Sequence, residues 1–597
     1  MADPLFPPHT KLFLQDLIHF FSPVIPTYFI VRLIVGNNIS TLKLVALLLL
    51  SVVATIAARI HFKYAQQQKR AAAFGAKMPT PVKGSLPGNL DIVTKFGEIY
   101  EHGYMMEQFE EAIKTLGNTF NFRIMCDNMY FTSDVEVTQT MLATNFNDFE
   151  KGETFSAFLK SVLGVGVFNS DGALWKFHRL MTRPFFNKER LGHLDLFDKY
   201  IELAIVKMKQ RLREGHAVDF QDVISRFTMD LTTEYLFGLT INSLEYDLPY
   251  SPASAPEKAG KRSKPTRPEE FSMAFDEAQE IVTNRSRLGW IWYWVEAFTD
   301  KTKQSMEVVD SFINPIVKDA LAKAKKEGIT VVDVNEAREP PADDTTLLDY
   351  LLKYTQDPSI LHDEVLNILL AGRDTTAATI TFLMYFLSQY PEVMRRLREE
   401  VLTVVGPTKR PNLEDMKEMK YLRAVINETL RLYPPVPLNF RFSIRDTTVP
   451  NNEDSTGVPF FVPAGTGVMY SPFLMQRRKD YWGPDADEFD PDRFLDERAQ
   501  KYLTPNPHIF LPFGAGPRIC LGQQFAYNEM IFVMIRLMQN FSSITHDFES
   551  QPVESRVPNS WAGLPGRKGV DKMNVKSHLT AFAKGGLWIK MTEVEQQ

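Results

Sequence analysis

The stretch Phe513-Gly514-Ala515-Gly516-Pro517-Arg518-Ile519-Cys520-Leu521-Gly522 constrains this chain more than any other. It sets one cysteine in a glycine-rich turn directly before a helix-like run, Gln523 to Met538. A buried thiolate ligand to iron needs that arrangement. The glycines let the backbone turn tightly and come close to a flat cofactor. The amides after Cys520 sit at a helix N-terminus, where unpaired N–H groups and the helix dipole stabilise a sulfur anion. Arg518, two residues before the sulfur, can meet a carboxylate at the cofactor's edge. Phe513 can shield the sulfur from water, and burial of that kind tunes a metal. A lone cysteine in such a turn is more often a small inert hydrophobe. The whole pattern F-x-x-G-x-R-x-C-x-G is far more restrictive.

A second constraint lies near the N-terminus. Ile39 to Ala58 is a Leu-rich run of twenty residues with Lys43 as its only charge, long enough to cross a bilayer with Lys43 reaching the surface. A cleaved signal peptide fits less well, because the run starts deep and no small-residue cleavage site follows. Residues 12 to 36 are apolar but carry Asp16, His19, Pro23, Pro26 and Arg32. The two prolines are expected to break a helix there and leave an interfacial or half-inserted segment. Between Arg59 and Leu90 stand Arg59, Lys63, Lys69, Arg70, Lys77 and Lys83 with no acidic residue, so this flank is expected to be cytosolic. Pro79, Pro81 and Pro87 read as a stiff hinge. The expected organisation is an anchor over 1–62 (membrane helix about 39–60), a basic Pro-rich hinge over 63–90, and a catalytic domain over 91–597. The sequon Asn38-Ile39-Ser40 lies against the membrane and is expected to be unused.

From residue 91 the pattern is mainly α with small β-sheets. Phe120 to Ser133 alternates like strands, and Thr447 to Tyr470 holds two more. Pro249 to Glu270, rich in Pro, Ser, Ala and Lys, reads as an exposed, disordered insertion. Glu336 to Asp344 is a second polar break. A length of 597 residues with 12% aromatics suits one large buried domain plus appendages. A net charge of -6 gives no reason to expect nucleic acid. Two cysteines, Cys126 and Cys520, make no disulfide framework and point to a reducing compartment. Cys126 is expected to pack as a core or strand residue.

Leu361 to Gln389 reads as a long apolar helix closed by Pro391. Its middle, Ala371-Gly372-Arg373-Asp374-Thr375-Thr376, places a glycine and two threonines where they cost helix stability, which suggests a function. A gap beside Gly372 could admit dioxygen, Thr375 could hydrogen-bond it, and Asp374 could relay protons through ordered water. Glu428 and Arg431 share a helix face at i, i+3 and can pair. Trp175 and Arg179 share another at i, i+4, with His178 one position off that face and expected at the surface. Arg441 follows Pro434-Pro435-Val436-Pro437.

In their order and spacing these motifs resemble those of the cytochrome P450 family. The Phe513–Gly522 stretch is similar to its haem-binding loop and Ala371–Thr376 to its acid–alcohol motif. Glu428, Arg431 and Arg493 match its Glu–Arg–Arg triad, read here as structural, locking the loop that carries Cys520. Trp175, Arg179 and Arg441 match its propionate-binding positions. The resemblance, over about 80–597, implies a P450 fold with haem b whose iron is axially ligated by Cys520. It implies a cofactor site of Trp175, Arg179, Arg441, Phe513, Arg518, Cys520 and Gly522, with Asp374 and Thr375 catalytic. Gly164-Val165-Gly166-Val167-Phe168-Asn169-Ser170-Asp171-Gly172 and Asn439-Phe440-Arg441 look like the fungal alkane and fatty-acid hydroxylases of that family and their relatives in wood-rotting fungi. An added basic loop near Gly563 to Lys576 departs from the pattern.

The implied function is a membrane-anchored monooxygenase of the endoplasmic reticulum, its domain cytosolic, hydroxylating a lipophilic substrate with O2 and NADPH electrons. The 77 residues from Leu521 to Gln597 leave no room for a fused flavin domain. NADPH–cytochrome P450 reductase is therefore the expected electron donor, with cytochrome b5 a further candidate partner. The alternatives are a haem-thiolate isomerase or dehydratase acting on a peroxide, or a non-catalytic haem-binding protein. Asp374 and Thr375 speak against the isomerase, which needs no proton relay.

Overall fold

The helix Pro358–Gln389 is the element on which the others are stacked. Asp357 caps its start by accepting from the Ser359 and Ile360 amides, and Pro358 occupies the first turn, where its missing N–H costs nothing. Most of its residues are buried, which explains a pattern apolar on all sides. Around it pack Phe220–Phe237, Lys303–Glu327, Lys420–Leu432 and Gln523–Asn540. The computed structural model describes residues 6–125, 127–186, 194–259, 265–335, 345–454 and 456–595. Cys126 and the polar break at 336–344 lie outside the described residues.

The helix runs unbroken through Gly372 and both threonines. Thr375 Oγ1 donates to the Ala371 carbonyl (2.7 Å) and Thr379 Oγ1 to the Thr375 carbonyl (2.8 Å), so the hydroxyls close onto their own helix. The expected gap beside Gly372 is filled. A Cβ there would stand 3.1 Å from Thr232 Cγ2, so the missing side chain is what lets Phe220–Phe237 cross closely.

Small sheets cover one flank, as the mainly-α reading expected. The largest, six-stranded, has the order Thr80–Pro81, Thr119–Asn121, Met129–Thr132, Gly467–Tyr470, Asn439–Ser443, Phe149–Glu150. Thr447 to Tyr470 yields three strands instead of two, Thr447–Val449, Phe460–Val462 and Gly467–Tyr470. Asn439–Ser443, which carries Arg441, is a strand that the alternation did not signal. Thr80–Pro81 pairs with this sheet and Lys77 with Phe460, so the Pro-rich segment is bound to the domain and is no free hinge.

The anchor also departs from expectation. One helix runs from Thr41 to Ala73, past the anticipated end near 60. Its polar last turns are held by the domain: Asn128 Nδ2 donates to Gln67 Oε1 (3.1 Å), and the Arg123 guanidinium lies over the Tyr64 ring. Pro23 and Pro26 do not end helical structure; Thr10–Phe21 and Val24–Val35 meet at a kink at Ser22–Pro23. The carbonyl of His19, robbed of its amide partner by Pro23, accepts from Arg59 Nη1 (3.0 Å) instead.

The insertion near 250–270 is partly tied down. Ser251 Oγ donates to the Ser550 carbonyl (2.6 Å), Pro256–Ala259 is helical, and Thr266 with Glu269 forms a capping box for Arg267–Leu288; residues 260–264 lie outside the described residues. The basic loop 563–576 is likewise packed: Arg567 pairs with buried Asp571, and Lys576 Nζ donates to the Tyr100 and Gly103 carbonyls (2.8 Å each).

A buried ionic node supports the cysteine loop. Arg431 grips Glu428 through two bonds of 2.7 and 2.8 Å, both side chains 0% exposed, and donates to the carbonyls of Gln476, Ala486 and Glu488. Arg493 stands 3.6 Å from Glu428 and bonds mainly to Asp485 and the Trp482 carbonyl. Gln476 then links node to loop. Its amide donates to the Leu430 and Arg431 carbonyls, and its oxygen accepts the Leu511 amide (2.7 Å). Arg431→Ala would leave Glu428 charged, buried and unpaired. It should cost about 3–5 kcal/mol, read as a lower denaturant midpoint in detergent; a change within about 0.5 kcal/mol, as for a surface pair, would contradict this account.

Candidate active site

One internal cavity of about 1070 Å³ lies between the cysteine loop and the middle of Pro358–Gln389. Drug-sized ligand sites typically measure ~300–1,000 Å³, so a large planar group and a second molecule can fit together. Its upper walls are apolar, with Phe96, Phe155, Phe158, Leu159 and Phe440 among them. One end is strongly cationic.

Cys520 reaches this cavity because its loop is forced into shape. Gly516 has φ +67°, and a Cβ on it would fall 1.8 Å from the Leu142 carbonyl oxygen, so only glycine fits. The Cys520 amide donates to the Phe513 carbonyl (3.0 Å), closing the turn. Phe513 packs on Tyr527 and lines the cavity. The sulfur is enclosed by protein yet bare on the cavity side. Burial pushes the thiol up, while the Gly522 amide and the Arg179 guanidinium pull it back toward the thiolate. At Gly522 a Cβ would meet nothing nearer than this sulfur at 4.0 Å, so the protein itself leaves that space open.

The cations come from three separate elements. Arg518 belongs to the loop, Arg179 to the helix Gly172–Thr182, and Arg441 to the strand Asn439–Ser443. Lys151, which the sequence reading missed, joins them. Arg518 pairs with Asp171, donates to the Ser170 carbonyl (3.1 Å) and lies over the Trp175 ring at 4.4 Å. Burial holds Arg518 down at about 10, with Arg441 and Arg179 adding to Asp171's opposing pull. Lys151 donates to Asn439 Oδ1 (2.7 Å); burial lowers its ammonium well below the ordinary value, and Arg441 and Arg518 lower it further. The Nε atoms of Arg441 and Arg518 are buried without a partner. Such a set is under-compensated, and carboxylates on a bound group are what it lacks. With one thiol facing the cavity and cations around its edge, the residues fit a planar iron cofactor bearing acidic side chains.

On the opposite wall, Ala371, Gly372, Thr375 and Thr376 face the cavity, whereas Asp374 lies on the flank toward Arg267–Leu288. Gln279 Nε2 donates to Asp374 Oδ2 (2.9 Å), and Arg373 stands 3.2 Å away. Arg373 also donates to Asp276 (2.8 Å), whose side chain is 51% exposed against 10% for Asp374. The pair therefore connects surface to interior. Burial raises Asp374 to about 6; Arg373 pulls it down and Asp276 pushes it up. Glu529, unnoticed in the sequence, also lines the cavity with Oε1 unpartnered; burial raises it to about 8, opposed by a bond with Thr376.

His178 corrects the sequence reading. It is fully buried, its Nδ1 2.7 Å from Glu364 Oε2, and Glu364 also accepts the Val167 amide (3.0 Å). Asp363 and Asn367 accept the Val165 and Phe168 amides. The glycine-rich 164–172 segment is thereby docked along the central helix; a Cβ on Gly166 would fall 2.3 Å from Asn367.

Comparison with known proteins bears on this arrangement. The sequence pattern of the family described as Cytochrome P450 matches residues 85–561. Cytochrome P450 52E1 of Candida apicola is 36% identical over 493 residues, 82% of this chain and 90% of its own. Cytochrome P450 52A3-A of Candida maltosa is 37% identical over 480 residues (78% and 85%). Cytochrome P450 monooxygenase pvhE of Talaromyces variabilis is 33% identical over 496 residues (80% and 83%). A buried thiol and a ring of cations around one cavity are what haem b with a cysteine-ligated iron requires, and together with these matches they make the chain a member of the cytochrome P450 family, a haem-thiolate monooxygenase.

Proposed function

We propose that the chain hydroxylates an alkane, a fatty acid or a similar lipophilic molecule. Electrons come from NADPH through a separate NADPH–cytochrome P450 reductase. The single observation that carries this reading is the cavity itself, with Cys520 on one wall, Thr375 on the other and aromatic side chains above. The likeness in Gly164–Gly172 and Asn439–Arg441 to fungal alkane and fatty-acid hydroxylases supports a chain-like substrate. The basic flank after the membrane helix supports a domain on the cytosolic face of the endoplasmic reticulum.

Cys520 supplies the axial thiolate, Arg179, Arg441 and Arg518 hold the propionates, and Trp175 packs under Arg518. Bound haem supplies the redox chemistry that splits dioxygen and inserts one oxygen atom into a C–H bond. Proton supply falls to the protein. Asp374, near 6, holds a proton part of the time at neutral pH and is recharged from the surface through Asp276. The Thr375 oxygen, its proton engaged with Ala371, is free to accept from a donor in the cavity. The aromatic walls exclude bulk water.

Two outcomes are expected. Thr375→Ala should retain haem and still consume NADPH, with product falling by about 10²–10⁴-fold and hydrogen peroxide rising. Product, peroxide and NADPH are measured together, and unchanged product per NADPH would remove Thr375 from proton delivery.

The second concerns Glu529, whose carboxyl rises from its ordinary 4.5 to about 8 on folding. The folded protein binds this proton more tightly than the unfolded chain. Its contribution is therefore complete below pH 4.5 and lost as pH rises toward 8, at up to about 1.4 kcal/mol per pH unit. The stability of the wild type relative to Glu529→Gln should fall steadily across that window. Parallel pH profiles would contradict the assignment.

A further inference from the structure

We propose that residues 10–73 form a helical hairpin anchor that crosses the bilayer twice. Its tip, Gly36–Ser40, lies on the far face, and the first helix sits with the catalytic domain on the near face. This rests on the reading of the 39–60 region as membrane-inserted.

The two legs are fixed at both ends. At the base, Arg59 donates to the His19 carbonyl (3.0 Å) and to Ser22 Oγ (3.2 Å), which pins the kink of the first leg to the second. At the tip, Arg32 reaches Asn37 Oδ1 (3.2 Å), and the chain reverses through Gly36 at φ +64°. Val24–Val35 packs along Thr41–Ala73 between these points. From Thr41 to Arg59 an α-helix rises about 27 Å, close to the ~30 Å of a hydrocarbon core. The outer surface over that length is apolar and bare, with Leu33 at 88% and Leu42 at 82% exposure.

Both ends of this apolar sleeve are polar. Arg32, Asn37, Asn38, Ser40 and Lys43 gather at the tip, and His19, Ser22, Arg59 and Lys63 at the base. A reversing backbone with two asparagines left inside hydrocarbon would cost several kcal/mol for each unmet polar group. The tip therefore belongs at the opposite interface.

What decides the side of the first helix is its grip on the domain. His9 Nε2 donates to the Glu296 carbonyl (2.8 Å) and Thr10 Oγ1 to the Ala297 carbonyl (2.7 Å), both buried. Asp16 accepts from Tyr293 and from Trp294 Nε1 (3.3 Å), and Phe13 meets Trp294 edge-on. Sending this helix through the membrane would break every one of these bonds. The domain thus holds its anchor at three places: here, at Lys63–Asp127 (3.1 Å), and at Arg123, which donates to the Ile60 carbonyl (2.9 Å).

The test maps glycosylation of the full chain in cells, with an acceptor site placed in turn on an N-terminal extension, on a long flexible spacer between Asn37 and Asn38, and on a C-terminal extension. Each variant is first checked for the haem spectrum of the wild type, so that only folded protein is scored. The hairpin requires modification at the tip alone. N-terminal modification together with tip modification would overturn it in favour of a single span with residues before 40 in the lumen. Absence of modification at all three positions would overturn it as an anchor that never crosses. Modification at both termini but not at the tip would keep the hairpin and refute only the cytosolic orientation under the proposed function.

Discussion

The rest of the molecule depends on bringing a thiol and a set of buried cations to one cavity. Arg179, Arg441, Arg518 and Lys151 arrive from four places in the chain, and burial weakens three of them as acids' partners in water would not. Asp171 answers only part of that charge. A polar group taken from water without compensation costs free energy, and a charge costs more. The protein carries that cost because a bound dianionic cofactor relieves it, which couples haem retention to the correct docking of all four elements.

Such coupling requires a rigid frame. The Glu428–Arg431 pair is too deeply buried to add much stability by its charges alone. Its value lies in the five backbone carbonyls that it and Arg493 collect from the 476–488 region. Gln476 passes that order to Leu511, at the threshold of the cysteine loop. On the far wall, Gly372 lets Phe220–Phe237 lie against the central helix, so the wall carrying Thr375 cannot drift. Loop and wall are positioned by different contacts, yet both face the same space.

Much of this was legible in the sequence where function uses residues close together in the chain. The cysteine loop, the acid–alcohol turn and the Trp175–Arg179 face each fit within a few residues. What escaped was set by distant partners. Lys151 looks like any surface lysine until Asn439 and Arg441 close over it, and Glu529 sits in an ordinary helix until Thr376 packs against it. His178 was misplaced because its partner, Glu364, is far off in sequence. Local propensity also misled at Pro23, whose helix-breaking effect is offset by the Arg59 side chain taking the orphaned carbonyl. The Gln-rich turns after residue 60 read as linker, since nothing local signals that Gln67 is buried against Asn128.

The central claim is that Cys520 is the sulfur on the iron. The most direct measurement is the absorption spectrum of the reduced, carbon-monoxide-treated protein, wild type against Cys520→Ser, normalised to haem content. The account predicts the strongly red-shifted band of a thiolate-ligated haem in the wild type and its loss in the variant. The same red-shifted band persisting in Cys520→Ser would contradict it.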